Sequence, residues 1–215
     1  MQAADFTSDR AGKLVQTARD NPAFVPHPLP PRLDLSPLVP TLSAADRALG
    51  RLGGIGRGLP NPRLLVAPFS SREAVLSSRI EGTQASLTDL AIHEAAPQVA
   101  PAHSDVREVA NYVEAVAYAT DPKRKLPVTL RLLRELHRML MSKVRGETQM
   151  PGEFRKVQNF IGRLGASEDT ATYIPPPVVE MHESLKALER YLNTASDLPP
   201  LVRLALVHYQ FEAIH

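Results

Sequence analysis

"EFRKVQNFIGRLGASEDTATYIPPP", residues 153–177, is the one stretch whose apolar residues do not recur at helical spacing. Two short β-prone pieces, Val157 to Ile161 and Ala171 to Ile174, flank a polar turn that contains glycine. The segment therefore reads as a β-hairpin. A lone hairpin on a helical body leaves edges that can pair with another chain.

Around it the text is helical. Ser43 and Asp46 have capping-box spacing, and Gly53–Gly54 is expected to close that helix. Ser70-x-x-Glu73 opens a second helix running to Gly82, and Ser86-x-x-Asp89 opens a third. Val106, Val109, Val113 and Val116 define a buried stripe; Leu132, Leu133, Leu136 and Leu140 define another. Leu185, Leu188 and Leu192 follow Pro175–Pro177, and Leu204, Val207, Phe211 and Ile214 mark the last helix. The expected fold class is all-α, a helical bundle with one hairpin.

Upstream, seven of the 20 prolines fall between Pro22 and Pro40. Consecutive prolines hold the backbone extended, and the interleaved Phe24, Val25, Leu33 and Leu35 favour an arm lying on the protein body over a free linker. The expected organisation is an extended arm over 1–42, a helical region over 43–100 and a further helical region over 101–215 that carries the hairpin at about 153–177.

Of the 215 residues, 43% are apolar and 22% charged, ordinary globular usage rather than disorder. A formal charge of +2 with no basic run gives no nucleic-acid footprint. The absence of cysteine excludes disulfides and thiolate chemistry and fits a cytoplasmic protein. The N-terminus has no signal-peptide core, and no stretch approaches the roughly 20 apolar residues that span a membrane.

The chain closes on "LVRLALVHYQFEAIH", residues 201–215, whose apolar stripe reaches the penultimate residue without a glycine, proline or polar tail. Natural termini are usually polar and frayed, so the expectation is a cut through an element. His208, Glu212 and His215 share a face at i, i+4 and i+7. Glu212-x-x-His215 has the spacing of four-helix di-iron sites, but such sites need a second copy, and none exists here.

A separate oddity is "SSRIEGTQ", residues 77–84. Gly82 should end its helix, which leaves the Glu81 carboxylate at the negative pole of the dipole, at a cost of roughly 0.3–1 kcal/mol. Ser77 and Glu81 stand one turn apart beside Leu76 and Ile80, read here as buried, and a carboxylate at such a margin calls for a cationic partner.

Together these stretches resemble the Fic family, whose members transfer AMP from ATP to hydroxyl side chains of proteins. "EAVLSSRIEGT" resembles its inhibitory-helix motif, Ser/Thr-x-x-x-Glu-Gly/Asn, filled by Ser77, Glu81 and Gly82. "GEFRKVQNFIG" followed by "YIPPP" resembles the Fic flap, and "DVREVANYVEAV" matches the helix between the two. "HYQFEAIH" resembles the entry to the signature His-Pro-Phe-x-x-Gly-Asn-Gly-Arg, with His215 at the position of the catalytic histidine. The resemblance runs from about Leu29 to the last residue.

It implies an autoinhibited protein adenylyltransferase with its inhibitory helix at about 70–82. His215 would be the general base, since histidine is mostly neutral at physiological pH and a hydroxyl needs a base to become a nucleophile. Glu81 would pair with the second arginine of the signature, which otherwise binds the ATP γ-phosphate, and so block productive binding. Val157, Gln158 and Asn159 would form the flap edge on which an extended target segment docks by main-chain hydrogen bonds. The implied partners are ATP with Mg2+ and a Ser, Thr or Tyr hydroxyl of a target protein; a homo-oligomer is open, and neither membrane nor nucleic acid is expected. The acidic metal ligand, the Gly-Asn-Gly nest and the arginines follow the histidine in the family and are not among these 215 residues. No metal site is expected here, and the 215 residues alone are expected to be inactive.

Three alternatives stay open. One is a non-catalytic helical module that binds or regulates a protein. Another is the same fold with transfer of a different nucleotide or with phosphorylation, and the last is a helix-rich DNA binder. No Gly-x-x-x-x-Gly-Lys or Gly-x-Gly-x-x-Gly motif offers a different nucleotide site. Glu153, Arg155 and Lys156 read as surface charges, and the histidines before His208 show no convergent spacing.

Overall fold

The computed structural model describes residues 6, 8–61, 63–80, 82–96, 105–124, 127–145 and 148–215. Among them are seven α-helices and one two-stranded antiparallel sheet, so the all-α class holds. The strands are β1 (Gly12–Gln16) and β2 (Pro22–Pro26); the helices are α1 (Val39–Arg57), α2 (Arg63–Ile80), α3 (Leu87–Ala95), α4 (Asp105–Ala119), α5 (Leu130–Leu140), α6 (Val178–Leu192) and α7 (Pro200–Ile214). No described helix is long and apolar enough to cross a membrane. The chain divides into two compact units: Met1–Leu38 with Pro127–Leu130 and Phe154–His215, and Val39–Leu126 with Arg131–Glu153.

In the first unit the sheet lies in the proline-rich arm, not in residues 153–177. β1 and β2 pair from Gly12↔Pro26 to Gln16↔Pro22, so the two prolines sit at the ends of β2 and leave Ala23, Phe24 and Val25 between them to pair. Proline is tolerated at strand ends and edges, which is why this run escaped a strand reading. A Cβ on Gly12 would come within 2.3 Å of the Val25 carbonyl oxygen and 2.5 Å of the Phe24 ring. Gly12→Ala is therefore expected to destabilise the unit by about 1–3 kcal/mol, as overpacking does. A urea midpoint equal to that of the wild type would refute the close approach.

The expected hairpin at 153–177 contracts to a single bridge, Ile161↔Tyr173. Below that rung Pro175, Pro176 and Pro177 face the other arm of the flap without an N–H to donate, so no ladder can continue. Side chains of the other arm meet the proline carbonyls instead of a ladder: Gln158 Nε2 donates to the Pro175 carbonyl at 3.0 Å, and Arg155 Nη2 donates to the Pro176 carbonyl. Phe24 N–H donates to the Ile174 carbonyl at 2.9 Å and ties the arm to the flap. The core beneath is Met181, Leu185 and Leu188 of α6 with Ile214 of α7, joined by Leu29, Phe154, Val207 and Phe211.

In the second unit Ala74, Val75, Ala85, Leu90, Val109 and Ala110 form the core, with Val106, Tyr112 and Val113 packed against it. The Ser86/Asp89 capping box is present as read: Ser86 Oγ accepts from Asp89 N–H at 3.1 Å, and Asp89 Oδ2 accepts from Ser86 N–H at 2.9 Å. The Ser86 hydroxyl, donating to Asp89 Oδ2 at 2.6 Å, and then the Ser86 N–H hold the Asp89 carboxyl below the usual range. Ser86→Ala is expected to lower stability by about 1 kcal/mol, readable as a shifted urea midpoint; no shift would mean the cap is redundant.

Two helix boundaries depart from expectation. α1 begins at Val39 and runs straight through Gly53–Gly54, and Ser43 Oγ accepts from Arg47 Nη1 at 2.7 Å. α2 begins before Ser70 and carries Pro68 inside it. The buried face of α2 is Ala74 and Val75, whereas Leu76 and Ile80 are 45% and 85% exposed. The apolar margin assigned to Ser77 and Glu81 is thus absent.

Candidate functional site

α7 starts with Pro200 at its first turn, where proline is preorganised and the missing N–H is not needed. Val202, Ala213 and Ile214 are buried, which fixes the rotation of the helix. His215 follows Ile214 as the C-cap, its N–H donating to the Phe211 carbonyl at 3.1 Å. Its imidazole is exposed and lies nearly parallel to the Phe211 ring, 16° between planes and 5.3 Å between centroids. Phe211 belongs to the core, so the stack limits where the imidazole can point. His208 and Glu212, on the same helix, are exposed to solvent.

The flap comes to this end of α7. Asn159 Nδ2 donates to the main-chain oxygen of His215 at 3.1 Å, and Tyr173 Oη donates to the Ala213 carbonyl at 2.6 Å. Burial pushes the Tyr173 phenol well above its usual range, so the hydroxyl stays protonated and keeps donating. Arg155 is half-buried, and burial lowers its pKa from the usual arginine value. Its Nη1 also reaches the Val157 carbonyl at 3.3 Å. Arg155 is therefore a strut of the flap and not the surface charge its sequence context implied. Sequence spacing marks neither it nor Tyr173 for this role, although the run Pro175–Pro177 signals an opposite arm in need of side-chain donors.

Val157, Gln158 and Asn159 lie outside any strand. The carbonyls of Val157 and Asn159 are occupied by Arg155 and Gln158 side chains, the latter at 3.0 Å. Among the described residues no main-chain partner meets the N–H groups of these three residues. Val157 is 72% exposed. The segment thus presents donors more than acceptors.

In the second unit Ser77 Oγ donates to Glu73 Oε1 at 2.7 Å. Gly82 takes φ 97°, its N–H reaching the Arg79 carbonyl and the Thr83 N–H the Ser78 carbonyl, both at 3.1 Å. Those paired bonds are a Schellman ending, for which glycine is the favoured residue. Glu81 lies outside the described residues. Among the described residues no three His, Asp or Glu side chains gather as a metal-holding group, so none is assigned to Mg2+.

Comparison with known families adds two matches. Residues 39–121 match the family model for the Fic/DOC family N-terminal region, and residues 127–215 match that for the Fic/DOC family. The second match contains the flap, α6 and α7 as far as His215; the first contains α1 to α4 with Ser77 and Gly82. The helical class agrees with these matches, and the chain belongs to the Fic/DOC family, whose kind of function is that of a transferase.

Proposed function

We propose that this protein is an autoinhibited protein adenylyltransferase that moves AMP from ATP to a hydroxyl of a target protein. The observation that carries the reading is the exposed imidazole of His215 at the end of α7, beside a flap with unpaired main-chain N–H groups, in a Fic/DOC chain. A Ser, Thr or Tyr oxygen of the target would bond to the α-phosphorus while the bond to the β-phosphate's bridging oxygen breaks. Pyrophosphate leaves, and the hydroxyl proton passes to His215. The N–H groups of Val157, Gln158 and Asn159 would take the carbonyls of an extended target segment and align its hydroxyl.

In the family signature the phosphate- and Mg2+-holding groups follow the histidine, so the 215 residues alone are expected to turn over no ATP. ATP labelled at the α- or the γ-phosphate tests the chemistry in the natural protein. Protein-bound label from the α-position alone is the expected result; label from the γ-position would replace adenylyl transfer with phosphorylation.

A second reading, a non-catalytic module, is favoured by one observation in the second unit. α1 buries none of its residues, and Leu52 and Ile55 are more than 60% exposed. A groove of about 860 Å³ nearby in sequence is lined by Phe69, Leu76, Val113 and Val116. Calorimetric binding of ATP by the 215 residues would count against that reading.

A further inference from the structure

A flap joined by one rung does not hold its own shape, since a two-stranded pair is marginal in water and needs further strands or an apolar face beside it. The rung is Ile161 with Tyr173: Ile161 N–H donates to the Tyr173 carbonyl at 2.8 Å, and Tyr173 N–H donates to the Ile161 carbonyl at 3.1 Å. Successive residues of an extended segment turn their polar groups to opposite sides, so Ile174 faces the other way. There its carbonyl accepts from Phe24 N–H of β2 at 2.9 Å. Ala23 of β2 is buried with Ala171 and Ile174, and Val15 of β1 packs against them. The order in space is therefore β1, β2, residues 171–174 and then Ile161. We infer that the proline-rich arm is the support that positions the flap, with the turn between β1 and β2 as its latch and Thr17 and Glu168 as positioning residues. From the proposed function this takes only that residues 157–159 are the docking edge.

The latch is built on a buried carboxylate. Thr17 and Glu168 are each 6% exposed, and Thr17 Oγ1 donates to Glu168 Oε1 at 2.5 Å, the length of a charge-assisted bond. The same oxygen accepts from Asn21 Nδ2 at 3.4 Å, and Asn21 Nδ2 donates to Asp169 Oδ1 at 2.8 Å. Arg19 Nε stands 4.0 Å from Glu168 Oε2, but its side chain is 72% exposed, so water weakens that pair. Burying a carboxylate is costly unless donors meet it. Among the described residues the donors to this one all come from the arm, so Glu168 is satisfied only while the turn is docked.

One hydroxyl both shapes the turn and fastens it. Thr17 Oγ1 accepts from the N–H groups of Arg19 and Asn21 at 3.2 and 3.3 Å while it donates to Glu168. From Glu168 the path to the rung is short. Ala171 N–H donates to the Glu168 carbonyl at 3.2 Å, and the next two residues, Thr172 and Tyr173, both donate to the Ile161 carbonyl. Fixing Glu168 thus fixes where residues 171–173 start, and the rung then places the limb that carries Val157, Gln158 and Asn159.

The test is amide hydrogen exchange in the natural protein, read residue by residue by NMR, for Thr17→Val and Thr17→Ser. Valine keeps the branched shape and removes the hydroxyl, whereas serine keeps the hydroxyl. In Thr17→Val the Ile161, Thr172 and Tyr173 amides are expected to exchange at least about tenfold faster, the lower worth of a hydrogen bond to a charged group. The Leu185 and Leu188 amides of α6 should stay within about twofold, and Thr17→Ser should restore the wild-type rates. Unchanged rates at Ile161 and Tyr173 in Thr17→Val overturn the latch, as does acceleration that serine fails to restore. Equal acceleration in α6 overturns it too, since the whole unit has then loosened. At the docking edge the readout is a split in KM. Thr17→Val should raise KM for the target protein at least about threefold and leave KM for ATP within about twofold. A rise in both alike overturns the positioning role. If the natural protein transfers no AMP, the proposed function falls, and the exchange rates still decide the latch.

Discussion

Glu81→Gly is expected to raise target labelling by the natural protein roughly ten- to hundredfold, the worth of one charge-assisted hydrogen bond at about 1.5–3 kcal/mol. The effect originates at the end of α2. Gly82 at φ 97° closes the helix with two bonds, from its own N–H and from that of Thr83. The sequence puts Glu81 directly before that glycine, and a carboxylate near a helix C-terminus opposes the dipole. An unfavourable charge kept where an alanine would be better tolerated is accounted for by a partner cation, and the resemblance supplies one, the arginine that otherwise holds the γ-phosphate. On the proposed function, removing the carboxylate would return that arginine to ATP. No buried margin beside Ser77 adds to this cost, because Leu76 and Ile80 are exposed. Ser77 is a useful control, since its hydroxyl bonds Glu73 on the same helix, and Ser77→Ala should change labelling by less than about threefold. Equal labelling by the wild type and Glu81→Gly would remove the inhibitory role.

What could be read in advance divides along physical lines. Local signals that need only their own neighbours survived: the Ser86/Asp89 capping box, the glycine ending after Ile80 and the Leu185/Leu188 stripe all stand where the pattern put them. Signals that depend on what lies opposite did not. The β-prone run Val157 to Ile161 could not know that Pro175–Pro177 would face it without donors, so one rung formed. The arm reads as extended chain lying on the protein body, and nothing in its own residues marks that Pro22 and Pro26 frame a segment of three residues paired with β1. Gly53–Gly54 has a favoured C-cap composition, but α1 continues through it. Spacing pointed to His215 as a candidate and to neither Tyr173 nor Arg155. Tyr173 donates to a carbonyl of α7 and Arg155 to one across the flap, which no spacing rule encodes.

His215→Ala, made in the Glu81→Gly background so that a signal exists to lose, is expected to lower kcat about 10²- to 10⁴-fold, the range for a positioned general base. The effect on folding should be slight. The imidazole is exposed, and its recorded side-chain contact is the stack on Phe211, worth roughly 0.5–1 kcal/mol. The main-chain bonds from Asn159 and to Phe211 survive the substitution, since neither uses the ring. A fall in kcat without a fall in thermal midpoint would therefore isolate the chemistry. His208→Ala is the matched control: same helix, same exposure, and no contact with the flap recorded among the described residues, so kcat should stay within about twofold. If both variants lost activity equally, the face of α7 would matter as a surface and not through one base. If His215→Ala kept full activity, proton removal would have to come from elsewhere, and the flap that ends on this histidine would be clamping a helix for a different purpose.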